Sequence, residues 1–250
     1  MKERLSKAST TGDDERCFQF YEIGVDKATG REYVRIVDVY GNIFFARERA
    51  ERPNDDISNM KQPIVQKVNA EHIDRFGAEL VNRYGREDTE CLGIEYVEFN
   101  VPRSENGELV TQIAQFYEYV MEAAVNVVQD EDDYIAIVGF GNSFPDGRPS
   151  QCLLFRENDK EIPPYDGHHV ALYVGRDSKD FEEIFKNAEL AGIVWVNPRF
   201  SDKATNLTGA KKWKQFRFKD ILDLKTGKTI FTLEHEVRSV DHEAWPGKNA

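Results

Sequence analysis

The chain has 250 residues, is 40% hydrophobic and 12% aromatic, and carries a formal net charge of −12. That is enough apolar material for a sizeable core, and so acidic a balance argues against nucleic acid as a partner. No run approaches the roughly 18 consecutive apolar residues of a membrane span, so no membrane partner is expected.

The opening stretch, MKERLSKASTTGDDER, is polar, lacks the apolar core of a signal peptide and predicts disorder. Three widely spaced cysteines, Cys17, Cys91 and Cys152, form no CxxC pair. They fit a reducing compartment, and a cytoplasmic location is the expectation. FQFYEIGVDKATGREYVRIVDVYGNIFFARER then alternates apolar and polar residues around the turns DKATG and YGN, which predicts two or three strands. A polar connection over 51–63 leads to AEHIDRFGAELVNRYG, where Ile73, Phe76, Leu80 and Tyr84 fall at helical spacing. Residues 1–90 are read as an N-terminal β-rich extension or small subdomain.

From Cys91 the order of elements becomes informative. GIEYVEFNVP predicts a strand, and ELVTQIAQFYEYVME a helix with Leu109, Ile113, Phe116 and Val120 on one stripe. AAVNVVQD, DYIAIVGFG and SQCLLFRE predict three more strands. The pattern then repeats. HHVALYV reads as a strand and SKDFEEIFKNAELAG as a helix stopped by Gly192. IVWVNPRF, KKWKQFRFKDI and TIFTLEHEV read as the next three strands. Aligning YVEFNV on HVALYV sets Tyr96 against His169, 73 residues on (169 − 96). The chain is therefore divided at 91–165 and 166–250, with the C-terminal tail in the second part.

Two consecutive βαβββ patterns resemble the vicinal oxygen chelate superfamily, which includes glyoxalases, bleomycin-resistance proteins and extradiol dioxygenases. HHVALYV, and DILDLKTGKTIFTLEHE with its D-x-x-x-G turn, carry the closest likeness. The resemblance covers about 93–240. It implies an α+β fold in which two tandem βαβββ modules form a cup-shaped mixed sheet. It also implies that first and last strands can supply ligands to one divalent metal. His169 matches the usual histidine position and Glu234 or Glu236 the usual glutamate. Tyr96 departs from the pattern where a histidine is often found, leaving Glu98 two residues on as a further candidate.

Strand parity sorts these residues independently of the resemblance. Successive side chains face opposite sides of a strand, so Glu234, Glu236 and Arg238 share a face and His235 points the other way with Phe231, Leu233 and Val237. His169, Ala171 and Tyr173 oppose Val170, Leu172 and Val174, while Tyr96, Glu98 and Asn100 oppose Val97, Phe99 and Val101. Three strands thus each assign a polar set to the face away from the helices. His235 is expected to be a covered structural histidine.

One imidazole with carboxylates suits Zn²⁺, Fe²⁺, Mn²⁺ or Ni²⁺. The candidate metal ligands are His169, Glu236, Glu98 and Glu234, and Tyr96 or Tyr173 would position substrate or act as an acid. The resemblance then implies a metal-dependent lyase, isomerase or dioxygenase for a small oxygenated organic substrate. The alternative is a metal-free protein that sequesters a small-molecule ligand. A plainer reading makes Glu234, Glu236 and Arg238 a solvated strand end. KKWKQFRFK mixes basic and aromatic residues but alternates like a half-buried strand, and the sequon at Asn206 is read as chance.

Overall fold

The computed structural model describes residues 18–25, 32–38, 42–47, 94, 96–130, 132–143, 149–175 and 178–244. The expected disordered start, the 51–63 connection, the 70–85 helix and the end of the C-terminal tail lie outside the described residues. The chain divides into two compact units, Met1–Cys91 and Leu92–Ala250.

In the first unit, β1 (Phe18–Val25), β2 (Glu32–Asp38) and β3 (Ile43–Arg47) form an antiparallel meander in that order. The alternation of FQFYEIGV and EYVRIVD fits this pairing, with Arg35 facing Glu22 across the ladder.

The second unit is a mixed α+β structure. β4 (Tyr96–Pro102) leads through a short 3₁₀ turn into α1 (Glu108–Met121), and β5 (Ala124–Asp130), β6 (Asp133–Ser143) and β7 (Pro149–Asn158) follow. The sheet order is β4-β7-β6-β5, and β4 runs parallel to β7. Helix α1 forms where its stripe dictates: Val110, Ile113, Phe116, Tyr117 and Val120 are buried against the sheet. Gly107, just before it, adopts φ 72°, and an added Cβ would lie 2.6 Å from the Tyr134 ring. Only glycine meets both conditions.

The remaining elements are β8 (His169–Val174), α2 (Ser178–Leu190), β9 (Val194–Trp195), α3 (Leu207–Trp213), β10 (Gln215–Phe218), the hairpin β11 (Ile221–Leu222) and β12 (Thr229–Phe231), and β13 (Glu234–Ser239). The second four-stranded sheet has the order β8-β13-β10-β9, again with its first strand parallel to its last. Gly192 takes φ 70° just beyond α2, as its position in the sequence predicts.

Three sequence expectations are corrected here, the first of them TIFTLEHEV, which is not one strand but breaks at Thr232 and Leu233 into β12 and β13, paired in different sheets. KKWKQFRFKDI is not one strand: Lys211 to Trp213 close α3, Lys214 turns the chain in a left-handed conformation at φ 55°, and the strand starts at Gln215. Asn206, the sequon residue, is the N-cap of that helix and accepts from the Gly209 N–H at 2.9 Å. IVWVNPRF gives only the two residues of β9, because Asn197 and Pro198 leave the ladder.

One core joins both sheets. Phe116 meets Phe218 at 6.0 Å between ring centroids, and Phe99 meets Phe231 at 6.3 Å. Each buried phenylalanine contributes on the order of 1.5–3 kcal/mol. His235 lies wholly inside this core, stacked on Phe218 at 4.1 Å, on the packed face that parity assigns to it. Among the described residues no helix is long and apolar enough to cross a membrane.

Candidate functional site

The unpacked face of the second sheet is built by alternation alone. Phe216 and Phe218 of β10 turn inward, so Gln215 and Arg217 turn outward; the antiparallel register sets Arg217 against Glu236. The parallel register sets His169 against Glu234 and Ala171 against Glu236. Trp195 of β9 opposes Arg217 from the other side. The segment after β9 folds over this face and supplies Asn197, Phe200 and Asp202.

Arg217 is the centre of the arrangement. Its Nε donates to Asp202 at 2.8 Å, Nη1 to Glu234 at 2.8 Å and Nη2 to Glu236 at 2.5 Å. The Phe200 ring lies 4.2 Å from its guanidinium carbon. Glu234 also accepts from the Asn197 amide at 2.9 and 3.0 Å and from the Tyr165 hydroxyl at 3.4 Å. The second oxygen of Glu236 accepts from Arg238, whose Nη1 donates to the Tyr173 hydroxyl at 3.0 Å. Glu234, Glu236, Asp202 and Arg217 are all buried. The strand end is therefore not solvated, contrary to the plainer reading of the sequence. Leu233 and Val237, which alternate with the glutamates, lie in the core, and the segment after β9 covers the polar face.

Burial works against the charge of Arg217, but Asp202, Glu236 and Glu234 outweigh it and hold the guanidinium above its ordinary value. Arg238 behaves the same way: burial opposes its charge, and Tyr173 and Glu236 restore it. Tyr165 is pushed up to about 12, first by burial and then by the Glu234 carboxylate. It is a hydroxyl donor at neutral pH. Taking two or more charges out of water costs several kcal/mol per ion, and only saturated hydrogen bonding recovers it. Here every nitrogen of the Arg217 guanidinium has a carboxylate partner.

The structure brings some of the sequence candidates together and separates others. His169 Nε2 lies 3.9 Å from Glu236, and its side chain is 36% exposed. Tyr173 donates its hydroxyl to the Ala244 carbonyl at 2.9 Å and accepts from Arg238. Glu98 belongs to the first sheet, where it accepts from Arg156 Nε at 3.1 Å. Arg156 also holds Asp130 at 2.8 Å. Tyr96 opens β4 opposite Cys152, at the place where His169 stands opposite Glu234 in the second sheet. Glu157 lies on the packed face, where it accepts from the Ser104 hydroxyl at 2.6 Å and the Val110 N–H at 3.3 Å.

Among the described residues, no group of three or more His, Cys, Asp and Glu side chains is arranged to hold a metal ion. The donor chemistry gives the reason. A divalent ion between His169, Glu234 and Glu236 would need carboxylate oxygens that Arg217 and Arg238 already use, and it would lie beside a fixed guanidinium charge. These residues, so arranged, do not fit the ion.

Sequence reasoning missed Arg217, Asp202, Asn197 and Tyr165. Arg217 could have been found, since its alternation with Phe216 and Phe218 puts it on the same side as Glu236. Asp202 and Asn197 arrive from an irregular segment with no periodicity to read. A second cleft, of about 210 Å³, is lined by Met121, Gly139, Phe140, Tyr173, Val174 and Ile184. It is smaller than the usual 300–1,000 Å³ of a ligand pocket and has no comparable polar cluster. No protein-family model matches the chain, and no curated protein matches it.

Proposed function

We propose that residues 92–250 are two modules of the vicinal oxygen chelate kind, and that the polar face of the second module binds a small oxygenated organic molecule without a metal. The repeated sheet order, with first strand parallel to last in both, supports the module reading. The observation that carries the metal-free reading is Arg217, which bridges Glu234, Glu236 and Asp202. A guanidinium there does the charge-balancing that a divalent ion would otherwise do.

In this reading Glu234 and Glu236 hold the cationic side chains in place and do not touch the ligand. His169 and the partly exposed Arg238 present donors to a ligand oxygen, and Tyr173 fixes the orientation of Arg238. The 3.9 Å approach of His169 to Glu236 favours the competing reading, a metal-dependent lyase, isomerase or dioxygenase. Thermal-shift screening of chelator-treated protein against small hydroxy acids, keto acids, phenols and amino alcohols separates the two. The binding reading predicts ligands that raise the melting temperature in the presence of chelator and fail with His169→Ala. Stabilisation that appears only after a divalent metal is restored would overturn it.

A further inference from the structure

Among the described residues of the polar face, Arg217, Arg238 and Lys219 each lie against an aromatic ring, and Lys219 differs from the two arginines. Arg217 beneath Phe200 is pinned by three carboxylates. Lys219, two residues on and just past the end of β10, is not. Its ammonium lies 5.2 Å from the Trp195 ring centroid and 5.7 Å from that of Tyr165. Among the described residues, the Lys219 ammonium has no hydrogen bond or ion pair, and two rings face it. It is half-buried, on a four-carbon stem that can swing into solvent.

Two ring faces directed at one ammonium make a site for positive charge, because the faces carry the negative end of the ring quadrupole. The surroundings reinforce that sign. Glu234 lies behind the Tyr165 hydroxyl, and Asp166 and Asp220 add to the negative field on that ring. A lysine held by rings alone is a replaceable occupant. We infer that Trp195 and Tyr165 form a cage for the ammonium group of a small organic cation, with the Lys219 side chain filling it until the ligand arrives. The His169 side of the same face would then take the ligand's oxygen, which points to an amino alcohol or a quaternary ammonium alcohol. This inference rests on the metal-free binding reading and narrows its ligand class.

The test uses the full chain, with choline as the cationic probe, 3,3-dimethylbutanol as its neutral isostere and 3,3-dimethylbutyrate as an anionic one. Isothermal titration is run on the wild type, Lys219→Ala and Trp195→Leu, with melting temperatures as a check on folding. Choline is expected to bind saturably, and roughly three- to thirtyfold tighter to Lys219→Ala, where the internal competitor is gone. Trp195→Leu should lose it, and the neutral isostere should not compete. Equal binding of choline and its isostere, or weaker binding of choline to Lys219→Ala, would overturn the cage. Binding of 3,3-dimethylbutyrate in place of choline would sink the cation and leave the metal-free reading intact. If none of the three binds, the cage falls, and the metal-free reading stands or falls by the thermal-shift screen.

Discussion

At the scale of single residues, two buried side chains show how context sets charge. Arg217 stays charged in the interior because three carboxylates surround it, whereas His235 has no such help. The Tyr117 hydroxyl and His235 Nε2 share a hydrogen bond of 2.6 Å, while Nδ1 has no partner of hydrogen-bond geometry. Burial pushes the imidazole down to about 3, and the nearby Leu233 backbone opposes this only weakly. A histidine whose folded value lies below its unfolded value of about 6.5 is neutral in the fold while the unfolded chain takes up a proton. Its stabilising contribution is therefore complete above about 6.5 and is lost as pH falls toward 3. Urea unfolding at a series of pH values should show a loss of about 1.4 kcal/mol per pH unit across that window, beyond what the carboxylates add. His235→Gln, which keeps an acceptor for Tyr117 but does not titrate, should flatten that part of the curve. Parallel curves for the two proteins would rule out His235 as the source.

At the scale of elements, legibility followed periodicity. The stripe Leu109, Ile113, Phe116 and Val120 gave α1, and Phe181, Ile184, Phe185 and Ala188 gave α2, because one face of each meets a sheet. The alternation of TIFTLEHEVRS sorted Glu234 and Glu236 from His235 correctly. KKWKQFRFK defeated the same reasoning. Its alternation began inside a helix capped by Asn206, and nothing in the pattern marks Lys214 as the left-handed residue where helix gives way to strand. SQCLLFRE was apolar on both sides, so parity could not say that Glu157 faces inward. The structure gives it a task there: it ties β7 to the start of α1 through Ser104 and Val110. Glu157→Ala would leave these buried donors unsatisfied and should cost about 1–3 kcal/mol in chemical denaturation. A change within about 0.5 kcal/mol would show that the tie is dispensable.

At the scale of the whole molecule, the sequence suggests a repeat that sets Tyr96 against His169, and each of those residues opens the first strand of a four-stranded sheet. What the repeat could not convey was the use of each face. The first sheet's outward face gathers Glu98, Asp130 and Asp133 around Arg156, and the second gathers Glu234, Glu236 and Asp202 around Arg217. In both, an arginine stands among carboxylates that composition alone would offer to a metal. Arg217 closes the second cluster as its counter-ion. Elemental analysis of protein purified without chelator, beside His169→Ala and Glu236→Ala, shows whether a metal ion shares that role. With Arg217 as the counter-ion, divalent metal should lie far below one equivalent per chain and be the same in all three proteins. One equivalent in the wild type, lost in either variant, would contradict it.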